Sequence, residues 1–335
     1  MSATAEAPAA PLAPPRGLVP ALGGLLSRAV AVLLALHPLG AVLVLGWLMR
    51  LMRAEDGLAR RRLSTAEALP RRAPLPGWLT ADPGTAQGRT ARLLGGLWQN
   101  LRDGLAALAT LLAGTLPFTL LWLLAWWGGW ENSFNKGYEQ SWVGPTVALT
   151  GVALALPLLA RLPMALAHQA AEGRMSAFFA RRDVSRLIRA AGWRYAALMV
   201  ATALAALPLF ALKGLPVFVE DWSPGFTARN EAGVEAFANV YRLLATAYLV
   251  LALIVLRRRA ARLHARASLA VEAGGPRRGP VAGLGHVLQS AVLWTASFAI
   301  VAQVFVAQFV NHQWVAWLLP PLATLPWFPP LTPVP

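Results

Sequence analysis

Long uncharged apolar runs, separated by segments rich in arginine, constrain this chain more than any other feature of its sequence. About 20 consecutive apolar residues are enough for a helix to cross the hydrocarbon core of a bilayer. The runs predict about six such helices, at residues 29–50, 104–128, 145–168, 195–214, 236–256 and 286–311. The sequence therefore predicts an all-α integral membrane bundle, with amphipathic helices on its cytoplasmic side.

The distribution of charge predicts how the bundle is oriented. Only 13% of the residues are charged, and most of the 30 Lys and Arg residues fall in the connections at 50–103, 161–194 and 257–280. The connections at 129–144 and 213–242 have no such excess. Because arginine-rich connections stay in the cytoplasm, we expect a multi-pass protein of a bacterial inner membrane with both termini on the periplasmic side.

Two terminal segments flank the predicted transmembrane domain at 27–313. Residues 1–26 are rich in alanine and proline and are expected to be a mobile tail. Residues 314–335 contain repeated prolines, which exclude a regular helix, and they also carry Trp314, Trp317 and Trp327. Aromatic residues are enriched in protein interfaces, so these three tryptophans are a candidate partner surface.

Several classes of function are disfavoured by what the sequence lacks. There is no cysteine, which excludes disulfides, thiolate metal sites and thiol catalysis. No glycine-rich phosphate loop, HExxH motif or serine nucleophile elbow occurs. The net charge of +15 is explained by the cytoplasmic arginines rather than by nucleic-acid binding. We therefore expect a protein that is not an enzyme and binds no cofactor, metal or nucleic acid.

Arginines near the cytoplasmic ends of the helices are candidate sites for anions or lipid headgroups. Segment 172–194 has apolar residues at near-helical spacing, so it is either an amphipathic helix on anionic lipid or a helix packed under the bundle. Segment 91–102 has the same character. Arg161 lies between two prolines and either binds an anion at a kink or snorkels to the surface. The candidates are Arg161, Arg181, Arg182, Arg186 and Arg189.

Histidines and other polar residues in the helices could line a site. Four histidines are weak candidates to bind haem or pigment, and packed or interfacial histidines are the alternative; they are His37, His168, His286 and His312. His264 lies in a basic connection and is not a candidate. A polar stripe on the sixth predicted helix could line a cavity or make interhelical hydrogen bonds; it contains His286, Gln289, Ser290, Ser297, Gln308 and Asn311.

Four stretches resemble an uncharacterised family of bacterial multi-pass membrane proteins that carry a domain of unknown function. They are PLPGW at 74–78, ENSFNKGYEQSWVGP at 131–145, LPMALAHQAAEGRMSAFFARRDVSRLIRAAGWRYAAL at 162–198 and ALPLFALKGLPVF at 206–218. The resemblance covers roughly residues 74–218. It implies a compact unit of helices two to four, and it implies no activity, cofactor or catalytic residue.

The absence of enzyme motifs and of acidic residues inside the predicted spans favours a non-catalytic role. We expect a subunit or an accessory or assembly factor of a larger inner-membrane complex, in contact with membrane lipids and other subunits. The alternative is a small-molecule or lipid transporter that uses the polar stripe and Arg161. A haem- or pigment-binding electron-transfer or photosynthetic subunit is the third hypothesis.

Overall fold

A computed structural model describes residues 18–65, 67–82, 89–130, 158–222 and 231–274, together with isolated positions at 146–147, 150–151, 153–154 and 326. These parts of the chain form helices and connecting turns and contain no strand, which confirms the all-α prediction for them. The helices are α1 (Leu18–Ala35), α2 (Pro38–Ser64), α3 (Arg89–Trp130), α4 (Leu162–Glu172), α5 (Arg181–Ala191), α6 (Trp193–Trp222) and α7 (Glu231–Glu272), with a 3-10 turn at Met175–Phe179.

The first predicted helix, at 29–50, is two helices in the structure. The break lies at His37, whose Nδ1 atom accepts a hydrogen bond from the Leu39 backbone nitrogen at 3.3 Å. Pro38 is the first residue of α2, where its fixed φ fits a helix start and its missing N–H costs nothing. Residues 18–26, which the sequence placed in a mobile tail, belong to α1.

Three of the other predicted helices extend beyond their predicted ends. The predictions at 104–128, 195–214 and 236–256 correspond to parts of α3, α6 and α7. The prediction at 145–168 is interrupted by a turn at 160–161, where the Arg161 backbone nitrogen bonds the Leu158 carbonyl at 2.9 Å before α4 begins. The prediction at 286–311 and the tail at 314–335, apart from position 326, lie outside the described residues.

α2 lies at the centre of the described bundle and packs against α1, α3, α4 and α7. The crossing with α3 is close because both helices have glycine at the contact. A Cβ atom on Gly46 would overlap the Asn100 carbonyl oxygen, and one on Gly104 would overlap that of Val42. Small residues allow two helix backbones to approach in this way.

By length and composition, one of the described helices could span a membrane, at Glu235–Glu272. Two shorter apolar helices occupy Leu22–Ala35 and Trp193–Ala206. Most of the exposed large apolar side chains in the described residues lie on four helices. Among them are Leu22, Leu25, Leu26 and Leu33 on α1; Leu94, Trp98, Leu105, Leu112, Leu116, Leu120 and Leu124 on α3; Trp193 and Leu204 on α6; and Val240, Leu244, Leu251 and Val255 on α7.

α5 decides between the two interpretations of segment 172–194. Its apolar side chains Val184, Leu187 and Ile188 are buried in the protein core. The apolar face of α5 therefore packs on the bundle and is not available for insertion into lipid. Trp193, near the end of this segment, is 56% exposed, because Gly192 ends α5 and the chain turns into α6.

Candidate functional site at the charged end of the helices

The three arginine-rich connections meet at one end of the bundle. The sequence treats 50–103 and 257–280 as connections, whereas the structure continues α2 and α7 as helices through about half of the charged residues of the first and most of those of the second. α4 and α5, from the connection at 161–194, pack against α7, and α4 also packs against α2. Most of the acidic residues of these connections are used in ion pairs there, so the charged end has an ordered polar interior.

Arg50 is the most highly connected residue of this interior. It is only 2% exposed, and its Nε and Nη2 atoms donate to Asp82 Oδ1 at 3.0 and 2.6 Å. Its Nη1 atom donates to the Asn100 Oδ1 atom at 3.0 Å and to the Gly77 carbonyl at 3.1 Å. Nη2 also donates to the Thr80 carbonyl at 2.9 Å. A buried guanidinium is tolerated because its donors are paired in this way.

These bonds hold an extended segment, which we call the strap (residues 75–82), over the crossing of α2 and α3. Trp47 Nε1 donates to the Pro76 carbonyl at 2.8 Å, and the Trp47 ring stacks on Trp78 with centroids 5.2 Å apart. Gln99 on α3 accepts from the Asp82 backbone nitrogen at 3.0 Å. The PLPGW sequence is therefore a structural clamp between two helices.

Glu55 connects α2 to α7. It is 1% exposed, accepts from the Ala73 backbone nitrogen at 3.0 Å, and lies 3.4 Å from both Arg258 Nη1 and Arg262 Nε. Arg53, two residues earlier, donates to the Ala170 carbonyl at 3.0 Å. α2 therefore contacts α7 through Glu55 and α4 through Arg53.

A chain of three side chains from three helices lies beside these ion pairs. His264 Nδ1 on α7 is 2.8 Å from Asp56 Oδ1 on α2, and His264 Nε2 is 3.2 Å from His168 Nδ1 on α4. Asp56 is 5% exposed and His264 is 1% exposed, whereas His168 is only half-buried. We call this set the Asp56–His264–His168 chain.

The chemistry of the carboxylate fixes the tautomers along this chain. An ionised carboxylate only accepts hydrogen bonds, so His264 donates from Nδ1 and its neutral ring must accept at Nε2. His168 then donates from Nδ1, which leaves a lone pair on its Nε2 atom. That atom has no hydrogen-bond partner among the residues that the structure describes.

The environment of His168 favours its neutral form. Burial and the adjacent His264 ring lower the pKa of the His168 imidazole below its ordinary value of 6.5. Glu172 and Asp183 act in the opposite direction, and Arg174 lowers the pKa further. Burial acts on histidine in this way because it disfavours the charged ring.

The histidine pair was not predicted, although His168 was a candidate. The sequence left His264 aside because it lies among arginines, and no local pattern links it to Asp56 or His168, which are far away in the chain. His37 caps α2 instead of facing another histidine. His286 and His312 lie outside the described residues. The remaining residues of the polar stripe and the three tail tryptophans also lie outside them; they are Gln289, Ser290, Ser297, Gln308, Asn311, Trp314, Trp317 and Trp327.

The basic candidates take two different positions. Arg161 precedes α4, makes no capping hydrogen bond with its side chain and is partly buried. The α5 arginines Arg181, Arg182, Arg186 and Arg189 are all exposed, on the side of α5 opposite its buried face. They form one basic surface, which is consistent with contact to an anionic surface.

The described histidine pair does not fit a bis-histidine haem. The two imidazoles are in direct hydrogen-bond contact at 3.2 Å, which leaves no space for an iron porphyrin between them. Within the described ranges, no group of three or more His, Asp or Glu side chains is arranged to hold a metal ion. The geometry therefore suits proton exchange between neighbouring groups better than ligation.

Comparison with known proteins gives no relative from which a function could be transferred. No family model, no curated protein and no solved structure matches the chain.

Proposed function

We propose that the chain is a multi-pass integral protein of a bacterial inner membrane and acts as a non-catalytic subunit or assembly factor of a larger membrane complex. The arginine-rich end would face the cytoplasm, as the positive-inside rule requires. The apolar side chains exposed on α1, α3, α6 and α7 support the membrane location. Apolar patches of that extent are rare on soluble monomers.

α3 carries the observation that favours a subunit role. Its exposed leucines continue from Leu94 to Leu124 on one face, while the opposite face buries Gln99, Asn100 and Asp103. Thirty residues of helix span about 45 Å, which exceeds the hydrocarbon thickness of about 30 Å. The apolar stripe therefore extends past the lipid core, and Leu94 and Trp98 are suited to contact another membrane subunit.

The lengths of the long helices agree with this arrangement. α3 and α7 each contain 42 residues, or about 63 Å of helix. About half of that length suffices to cross the hydrocarbon core. On α7, the exposed apolar residues end at Val255 and a run of arginines begins at Arg257, whereas the single Arg242 lies toward the other end of the helix. The charged end would project into the cytoplasm.

The topology can be tested directly, because the chain has no cysteine. Single substitutions Arg61→Cys in α2 and Ala5→Cys near the N-terminus introduce one reactive thiol each. A membrane-impermeant maleimide should label Ala5→Cys in intact spheroplasts and Arg61→Cys only after permeabilisation. Equal labelling of both in intact cells would contradict the topology.

The subunit role is tested by mild-detergent extraction followed by size exclusion and mass spectrometry. The wild-type chain should elute in a defined heteromeric peak. Leu94→Ala with Trp98→Ala should release the partner, whereas the matched pair Leu116→Ala with Leu120→Ala, further along the same stripe, should retain it. Deletion of 314–335 tests the tail separately. A peak that contains only this chain would count against the proposal.

A small-molecule or lipid transporter is the second candidate. The observation in its favour is that two carboxylates, Glu55 and Asp56, are buried between helices just beyond the predicted first span. Buried ionisable groups in membrane proteins often mark a transport pathway. Solute-dependent stabilisation of the purified chain, lost on Arg161→Ala, would favour this candidate over the first.

A further inference from the structure

We propose that the Asp56–His264–His168 chain is a proton-relay site, in which His168 takes up a proton at Nε2 and His264 carries the resulting positive charge beside Asp56. The site does not depend on the subunit role proposed above. It rests on the order of the three groups, on their burial and on the tautomers that the carboxylate imposes.

The order of burial gives the relay a direction. Asp56 and His264 are sealed inside the contact between α2 and α7, while His168 on α4 is half-buried and has an unpartnered Nε2 atom among the described residues. A proton can therefore reach the Asp56–His264–His168 chain through His168. The two links of 3.2 and 2.8 Å are within hydrogen-bond distance, so the chain is continuous from this atom to the carboxylate.

The transfer keeps every hydrogen bond in the chain. A proton binds His168 Nε2, the N–H bond at His168 Nδ1 breaks, and a new N–H bond forms at His264 Nε2. His168 is then neutral in its other tautomer and accepts at Nδ1. His264 is an imidazolium that donates from both nitrogens, to His168 and to Asp56. An aspartate in this position stabilises the imidazolium without taking the proton itself.

The surrounding charges favour one proton for the pair rather than two. Glu172 and Asp183 face His168 and favour a positive charge there, whereas Arg174 opposes it. Asp56 also accepts from Arg60 Nε at 2.9 Å, and Arg60 reaches Glu272 on α7. A second proton would make both rings positive with their centroids 5.4 Å apart, which Coulomb repulsion strongly disfavours.

Nuclear magnetic resonance of the full chain, labelled with ¹⁵N-histidine in lipid nanodiscs with EDTA present, can test the relay. Two-bond ¹H–¹⁵N spectra distinguish the two neutral tautomers from the imidazolium, and the five histidines are assigned with single His→Gln variants. Between pH 8 and pH 5, His264 should change from the Nδ1–H tautomer to the imidazolium. Over the same pH range His168 should change from Nδ1–H to Nε2–H and stay neutral.

Asp56→Asn is the decisive variant, because the amide oxygen can still accept from His264 while the negative charge is lost. The imidazolium signals of His264 and the tautomer change of His168 should both move to lower pH. The matched control Asp183→Asn removes an exposed carboxylate that faces His168 but is not a member of the Asp56–His264–His168 chain. It should leave the coupling of the two changes intact.

Several results would overturn the relay. His168 could become the imidazolium while His264 keeps its Nδ1–H tautomer, which would make His168 an ordinary exposed base. Both rings could remain unchanged to pH 5. Stoichiometric Zn²⁺, added after EDTA removal, could lock both rings in the wild type but not in His264→Gln, which would identify a metal site instead. A thermal melt of each variant that matches the wild type shows that the variant is folded.

Discussion

The carboxylate of Asp56 on α2 lies 2.8 Å from the Nδ1 atom of His264 on α7, although 208 residues separate them in the chain. This hydrogen bond joins two helices that the sequence assigns to different spans. It sets the tautomer of His264 and, through it, the hydrogen bond to His168. The charged end of the bundle is therefore one connected polar unit rather than three independent loops.

His168 should make the folded protein less stable in acid. Burial lowers the pKa of His168 below 6.5 in the folded chain, so the unfolded chain binds more protons as the pH falls. Stability rises with pH wherever the unfolded state binds more protons. This contribution to the free energy of unfolding is fully present above about pH 6.5. It is lost as the pH falls through the lower pKa that His168 has in the folded chain. Thermal melting between pH 8 and pH 5 measures the loss, and His168→Gln should reduce it. An unchanged pH profile in that variant would contradict the assignment.

Removal of the Arg50 guanidinium should strongly destabilise the bundle. Arg50→Met removes the buried guanidinium that donates to Asp82 and to several strap carbonyls. A buried acceptor that loses its donor costs about 1–3 kcal/mol, and the partly exposed Asp82 carboxylate, which also lies near Arg53, adds less. Denaturant unfolding in detergent measures this change. Arg61→Met, at an exposed position on the same helix, is the control and should change stability by less than about 0.5 kcal/mol.

Alanine at two glycines of α2 should have opposite effects. Gly46→Ala places a Cβ atom against the Asn100 carbonyl and forces α2 away from α3. We expect a destabilisation of about 1–3 kcal/mol from overpacking. Gly57→Ala meets nothing within 4 Å and should stabilise the helix by about 0.5–1 kcal/mol. Paired thermal melts measure both changes, and equal effects of the two variants would argue against the close crossing.

The basic surface of α5 should bind anionic lipid headgroups. α5 ends just before Trp193, which is exposed at the start of α6, so its arginines would lie near the headgroups. Arg182→Gln with Arg186→Gln should weaken the retention of phosphatidylglycerol by about 2 kcal/mol, at about 1 kcal/mol per arginine. Native mass spectrometry of the detergent-extracted protein counts the retained lipids.

The matched control for the lipid prediction is Arg61→Gln with Arg62→Gln. These arginines are exposed in the last turn of α2, about 16 Å of helix beyond Arg50. They should lie farther from the bilayer, so their loss should leave lipid retention unchanged. An equal loss in both double variants would indicate a general charge effect rather than a site on α5.

The amino-acid sequence by itself determined the helical and apolar character of 104–128, 195–214 and 236–256, and it located the arginine-rich segments. Those properties follow from runs and periodicities within about 20 residues, where backbone hydrogen bonds and hydropathy act locally. It also indicated that α5 is amphipathic, because its apolar and basic residues alternate at helical spacing.

Only the tertiary structure decided which polar residues are buried and what they contact. The sequence could not show that α3 turns Asn100 inward and Trp98 outward, or that α5 packs on the bundle rather than in lipid. It could not pair Asp56 with His264 either, because a hydrogen bond between residues so distant in the chain leaves no local pattern. Such contacts are set by how the helices pack around α2, and the close glycine crossing with α3 fixes part of that packing.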